Sequence, residues 1–196
     1  MAHHIYQTEG FVVSRINIKE SDVLLSIFTK DLGLVSVQAK NLRSVTSKLR
    51  YQCSLFSHSQ FSLVRGRQLW RLVGAESSDL KSPSLVNSEH YLKLAQVFSV
   101  LKFFIHGQEP HPELFDEVKE GVVFLSGLPA EETVLRYFEY LITLRLLKHL
   151  GYFKSDPMID SVVLSKQWSF DILEDLKGQE LVAIGTINQA FVESGL

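Results

Sequence analysis

The chain has 196 residues, 45 % of them hydrophobic and 21 % charged, with a net charge of -2. That composition is ordinary for a globular protein and supplies enough apolar material for one large domain or two small ones. A single cysteine, Cys53, excludes an intrachain disulfide and a cysteine-cluster zinc site. No stretch reaches the roughly 18 uninterrupted apolar residues of a membrane span, and Met1–Gly10 lacks an apolar signal core. A cytoplasmic location is the expectation.

The net charge conceals an asymmetry. Residues 1–80 hold ten Lys/Arg against six Asp/Glu (+4), and residues 81–196 hold ten against sixteen (-6), which together give -2. From Lys40 to Arg71 there are seven basic residues and no acidic one. Segregation of this kind bears on partners rather than on fold.

The first 80 residues alternate with period two. A strand is predicted over Thr8–Ile18. The next carries Val23, Leu25 and Ile27 on one face. Thr29–Gly33 then turns the chain into a third strand, with Val35, Val37 and Ala39 on one side and Ser36, Gln38 and Lys40 on the other. Two more strands are predicted near Phe56–Val64 and Gln68–Glu76, joined at Arg65-Gly66-Arg67, and the longest connection is Asn41–Arg50. Five short strands with a long middle connection predict a small barrel of the OB-fold type, because closure removes exposed edges.

Near Lys81-Ser-Pro83 the period becomes helical, so residues 1–80 and 81–196 read as two domains of an α+β protein, linked by a short docked connector near 78–88. Asn87 or Ser88 suits the cap of a helix running to about His106, with the stripe Tyr91, Leu94, Ala95, Phe98, Leu101 and Ile105. Pro112 opens a second helix bearing Leu114, Phe115, Val118 and Val122. A third runs from the Leu128-Pro-Ala-Glu-Glu stretch to about Leu150. It is apolar over more than half its circumference, as expected for the middle of a bundle, and Gly151 suits its C-terminal stop. A short hairpin around Val162–Phe170 and a helix from about Ile187 complete the expected order.

Taken in order, Thr8-Glu-Gly-Phe-Val-Val13, Glu20-Ser-Asp22, Leu24–Thr29, Gly33–Lys40, Leu55-Phe-Ser57, Arg65-Gly-Arg67 with Trp70, Phe138-Glu139 and Leu146–Tyr152 resemble the RecO family over residues 6–76 and 134–152. The resemblance implies an N-terminal OB-fold, a helical C-terminal domain and a non-enzymatic mediator of recombinational DNA repair. Such a protein binds single- and double-stranded DNA, promotes strand annealing and helps load recombinase. Its implied partners are RecR and the acidic C-terminal tail of single-stranded DNA-binding protein. Three departures stand out: Asn41 where the family often has Gly, no zinc cysteines after the Leu-Gly-Tyr segment, and a shorter C-terminus.

The candidate DNA contacts are Lys40, Arg43, Lys48, Arg50, Arg65, Arg67 and Arg71, since a surface that neutralises phosphates needs Lys/Arg without adjacent carboxylates. By composition alone the same residues suit a solubilising surface equally well; the resemblance tips the balance to DNA. Tyr51 is the candidate base-stacking side chain, with Phe56, Phe61 and Trp70 more often core. Glu20, Asp22 and Asp31 read as caps or turn formers. The seven histidines form no i,i+4 ligand pair, and no phosphate-binding loop or nucleophile elbow occurs. No metal, cofactor or catalytic group is therefore expected. On the third helix, Arg136, Arg145 and Lys148 flank an apolar surface, the combination an acidic peptide with an aromatic end requires. The rival function is a protein–protein adaptor with little DNA affinity, favoured by the acidic C-terminal half.

Overall fold

The computed structural model describes residues 4–78, 80 and 88–195. Five strands, β1 (Ile5–Asn17), β2 (Val23–Thr29), β3 (Gly33–Ala39), β4 (His58–Arg65) and β5 (Trp70–Ser77), precede six helices, α1 (Ser88–Phe104), α2 (Pro112–Gly127), α3 (Glu132–His149), α4 (Asp160–Leu164), α5 (Phe170–Asp175) and α6 (Glu180–Glu193). The chain divides into two compact units, Met1–Ser82 with His106–Phe115, and Pro83–Ile105 with Asp116–Leu196. The connector expected at 78–88 falls largely outside the described residues, as do Pro83 and the alternative cap Asn87.

The strands close into a barrel in the order β1-β2-β3-β5-β4, the OB arrangement expected from five short alternating segments. All pairings are antiparallel except β3 with β5, which run parallel. Strand β1 serves two neighbours. Its Ile5–Phe11 part pairs with β4, and its Gly10–Asn17 part pairs with β2 across a bulge between Val12 and Ser14. The inward positions are those set by the alternation: Val23, Leu25, Ile27, Val35, Val37 and Ala39 meet Phe61, Leu63 and Trp70 in the barrel interior. Trp70 is held edge-on by Tyr6, with ring centroids 5.1 Å apart.

The segment 106–115 completes this unit. Phe115 packs against Phe11 and Phe28 at centroid distances of 5.6 and 5.5 Å, and the Trp70 indole N–H donates to Gln108 Oε1 at 3.2 Å. Gly33 makes the close approach possible. Its φ is +68°, and a Cβ there would lie 2.3 Å from the Glu109 carbonyl oxygen.

In the helical unit α3 is the centre, buried on most of its circumference from Val134 to Leu147 and packed by α1, α4, α5 and α6. Its end is a Schellman stop. Gly151, at φ +80°, donates to the Lys148 carbonyl, and Tyr152 N–H reaches the Leu147 carbonyl at 2.8 Å. An aromatic seam of Phe103, Phe104, Tyr152 and Phe191 ties α6 to α1 and the end of α3. The hairpin expected at Val162–Phe170 is not formed. Val162 and Val163 sit buried in the short α4, residues 165–169 form an irregular strap, and Phe170 starts α5. Helix α6 begins at Glu180, seven residues before the expected start near Ile187. No helix among the described residues is long and apolar enough to cross a membrane.

Candidate nucleic-acid interface

Between β3 and β4 the chain makes a series of turns over residues 40–56 rather than a loose loop. Leu42, Cys53 and Phe56 are buried and anchor it in the barrel. Its first half is fastened to the β1–β2 connection. The Asn41 N–H donates to Asp22 Oδ1 at 3.0 Å, the Arg43 N–H donates to the Ser21 carbonyl at 3.1 Å, and Arg43 Nη1 donates to the Glu20 carbonyl at 3.1 Å. Its second half is fastened to β1, where Phe56 N–H donates to the Val12 carbonyl at 2.7 Å and Val12 N–H to the Ser57 carbonyl at 3.0 Å. Asn41 lies at φ +54°, in the left-handed region that Gly occupies most readily and Asn next. Asn at this position therefore keeps a backbone that Gly would also adopt.

The loop so held presents Lys48, Arg50 and Tyr51 outward, Tyr51 with 82 % of its side chain exposed, alongside Val45 at 93 %. Arg43 is exposed too, with part of its guanidinium committed to the backbone below it. Arg65 and Arg67 project from the β4–β5 turn, which Gly66 N–H closes onto the Leu69 carbonyl at 3.1 Å. Arg71 stands on the outer face of β5 in register with Gln38. Lys40 and Arg71 border one cleft of about 250 Å³, lined also by Gln38, Val64, Leu72 and Val73.

The seven cations are thus strung along the barrel rather than gathered at one spot. The turn with Arg65 and Arg67 lies at the start of β5. The 40–57 loop lies by its end, where Gln52 Nε2 donates to Ser77 Oγ at 3.4 Å. Eight residues of strand separate them, roughly 25 Å, with Lys40 and Arg71 beside the seam in between. From Leu32 to Ala75 the chain has no acidic residue.

Of the four aromatics interleaved with these charges, only Tyr51 is on the surface. Phe56, Phe61 and Trp70 are buried. Asp22 and Asp31 act on local structure, Asp22 at Asn41 and Asp31 by accepting the Thr8 hydroxyl at 2.7 Å. His58 is buried beside Ser78 Oγ at 2.6 Å and Glu9 Oε2 at 3.3 Å, and His90 Nε2 meets the Leu128 carbonyl oxygen at 3.0 Å. Burial in the barrel core pushes the Cys53 thiol up to about 12, with Arg15 only partly opposing. That thiol is suited to be neither nucleophile nor metal ligand. Among the described residues no cluster of three His, Cys, Asp or Glu is placed to hold a metal ion. Sequence reasoning passed over Gln38 and Val45; for Gln38 the signal was available, since alternation set it on the outer face beside Lys40.

In the helical unit the expected trio comes apart. Arg145 is almost wholly buried, pairs with Glu117 at 3.1 Å, donates to the Gln167 carbonyl at 2.8 Å and lies 4.4 Å from the Trp168 ring centroid. Burial lowers its pKa, and Glu117 opposes that shift. Arg145 therefore pins the 165–169 strap from inside and does not rim a docking groove. Arg136 is exposed near the start of α3 and Lys148 half-buried near its end, about 18 Å apart along the axis at 1.5 Å per residue. A hollow of about 580 Å³ that combines aromatic and basic side chains is bordered by Phe124, Trp168, Lys119 and Lys166, with Asp116 and Glu120.

The N-terminal part matches the family described as Recombination protein O N terminal, over residues 1–80. A DNA repair protein RecO of Dehalococcoides mccartyi is 30 % identical over 153 residues, covering 76 % of this chain and 57 % of the relative. One from Thermosynechococcus vestitus is 35 % identical over 112 residues, 57 % of this chain and 40 % of the relative. One from Alkaliphilus metalliredigens is 27 % identical over 176 residues, 87 % of this chain and 69 % of the relative. The chain thus spans little more than half the length of the first of these relatives. The barrel with its strand order, the residues that carry the match from the first strand through α3, and these relatives agree: the chain belongs to the RecO family.

Proposed function

We propose that this protein is a non-enzymatic DNA-binding mediator of recombinational repair, which holds single strands along the barrel, promotes annealing and helps load recombinase. The observation that carries the reading is the line of cations from the Arg65–Arg67 turn, past Lys40 and Arg71, to Arg43, Lys48 and Arg50, all drawn from a stretch of sequence, Leu32 to Ala75, without an acidic residue. Its length suits on the order of four nucleotides, the lower end of what one OB barrel engages. Cations so placed screen the repulsion between two strands, and annealing by that route requires no nucleotide. Tyr51 adds a stacking face that tolerates any base.

Fluorescence anisotropy with labelled single-stranded DNA at several salt concentrations tests this. With four or five phosphate contacts, the slope of log K against log salt should be about -3 to -4. Neutralising Arg43, Lys48 and Arg50 together should make it shallower by about 2 and weaken all sequences alike. An unchanged affinity and slope would remove the reading.

The second reading, an adaptor with little DNA affinity, draws on the acidic second half of the chain and on the hollow beside Lys119 and Lys166. RecR and the acidic tail of single-stranded DNA-binding protein are the partners that family membership suggests for it. A tail peptide titrated to about 100 μM, in the weak-affinity range, separates the two readings.

A further inference from the structure

We infer that the groove between α1 and α3 is a docking site for a partner's amphipathic helix, one whose apolar stripe carries lysine or arginine at one end. The inference concerns the helical unit alone and does not depend on the DNA-binding reading of the barrel.

The groove follows from how the two helices are aligned. Lys93 on α1 meets Glu139 on α3 at 2.6 Å, and Phe104 at the end of α1 clusters with Leu147 near the end of α3. The helices therefore run parallel and begin at the same end of the unit. Between them lies a hollow of about 630 Å³, which α1 borders from Glu89 to Val100. That stretch is roughly three turns, or about 16 Å of helix. The floor is apolar. Leu135 is buried, Ala95 and Val100 are half-buried, and Leu92 stands 54 % exposed.

The walls decide what shape can lie there. An extended peptide is held by main-chain hydrogen bonds, as at a sheet edge. Within α1 and α3 the backbone groups of the middle turns already bond along their own helix, and the Ser99 hydroxyl is spent on the Ala95 carbonyl at 2.7 Å. A helix satisfies its own backbone and needs only a stripe of apolar side chains for such a floor.

The charges select the partner's sign. Lys93 is committed to Glu139. The other charges bordering the groove among the described residues are acidic, Glu89 and Glu132, each in the first turn of its helix, and Glu131 adjoins them at the N-cap of α3. Each helix start opposes these three carboxylates with about half a positive charge, so that end of the groove is negative by about two. Arg136, one turn further along α3, does not border the groove and acts on Glu180. A lysine or arginine on the incoming helix gains at this end, and a carboxylate or a phosphate is repelled.

The test is a fluorescence titration with a labelled model peptide of about 16 residues, long enough to hold a helix. It is alanine-rich, with leucines three and four apart and lysines in its last turn. The wild-type protein should bind it with a dissociation constant of about 10–100 μM, the weak range of a contact this small. Glu132→Gln should weaken binding about three-fold and flatten its dependence on salt. Leu92→Glu is the decisive variant. It makes the protein more acidic, so diffuse attraction of the lysines would tighten binding, whereas docking in the groove should weaken it about ten-fold, because a carboxylate then stands on the apolar floor. Both positions are exposed, and unchanged unfolding curves should show that both variants keep their fold. No binding at about 100 μM, binding that Leu92→Glu leaves unchanged or tightens, or equal binding of a peptide with glutamine in place of lysine would overturn the inference. Self-association of the protein that Leu92→Glu abolishes would give the groove to a second copy and overturn it too.

Discussion

Asp22 fixes the start of the basic loop through the main chain of Asn41, accepting its N–H at 3.0 Å. Asn41 is left-handed at that point, so residue type and hydrogen bond support one another. Asn41→Gly should change stability by no more than a few tenths of a kcal/mol, whereas Asn41→Val should cost about 1–2 kcal/mol. Asp22→Ala should cost about 1 kcal/mol. Urea unfolding monitored by circular dichroism distinguishes these, and an Asn41→Val protein as stable as wild type would contradict the backbone argument.

Tyr51 and Trp70 are the two most informative aromatics, because they should fail in opposite assays. Tyr51→Ala should weaken single-strand binding by about 1–3 kcal/mol without changing the salt slope, since stacking releases no counterions. Its effect on stability should stay within about 0.5 kcal/mol, as for an exposed side chain. Trp70→Ala should destabilise the barrel by about 3–5 kcal/mol. A Tyr51 variant that altered the slope would show that its ring is not a stacking surface.

Arg145 and Glu117 should behave as a buried pair. Arg145→Met leaves the Glu117 carboxylate in a largely enclosed site beside His149, and should cost about 3 kcal/mol or more. Adding Glu117→Gln should recover part of that loss. Equilibrium unfolding of the two single variants and the double variant measures the coupling, and strict additivity would count against it.

Cys53 should be silent in the folded protein. With its pKa raised from 9.0 to about 12, it should not react with a thiol reagent at pH 8 until the protein unfolds. The linkage has a definite sign. Below pH 9.0 both states keep the proton, and the thiol's contribution is fully present. Between 9.0 and about 12 the unfolded chain releases the proton and the folded chain does not, so this contribution to stability falls as pH rises. Comparing unfolding of wild type and Cys53→Ala at pH 8 and pH 10.5 isolates it: the wild type should lose more on going to the higher pH.

The barrel was legible because period two is a geometric consequence of the pleat. Val35, Val37 and Ala39 went inward, and Gln38 and Lys40 outward, as the alternation required. The 40–57 loop was legible as basic but not as rigid, since its anchors Leu42, Cys53 and Phe56 follow no period and rest on left-handed residues at Asn41 and Phe56. The burial of Arg145 was not legible, because a cation on a helix reads as exposed unless its partner is known, and Glu117 lies 28 residues away on another helix. The Val162–Phe170 stretch was not legible as short helices, because periodicity does not distinguish a short apolar run in a hairpin from one in a helical turn. The first turns of α6 were not legible because Leu181 to Ile184 form an unbroken apolar run with no stripe to mark a helix.

The parallel seam also bears on how the barrel comes apart. Each antiparallel neighbour is stitched over seven registered pairs, but β3 meets β5 over two. When the circle opens, it should open there first, as the least reinforced line of a cooperative unit. Amide hydrogen exchange should therefore be fastest, among the inner strand residues, around Gln38 and Arg71. A single strand lying across that line would bridge the two margins, so the protein's weakest join would become the one that its cargo keeps shut.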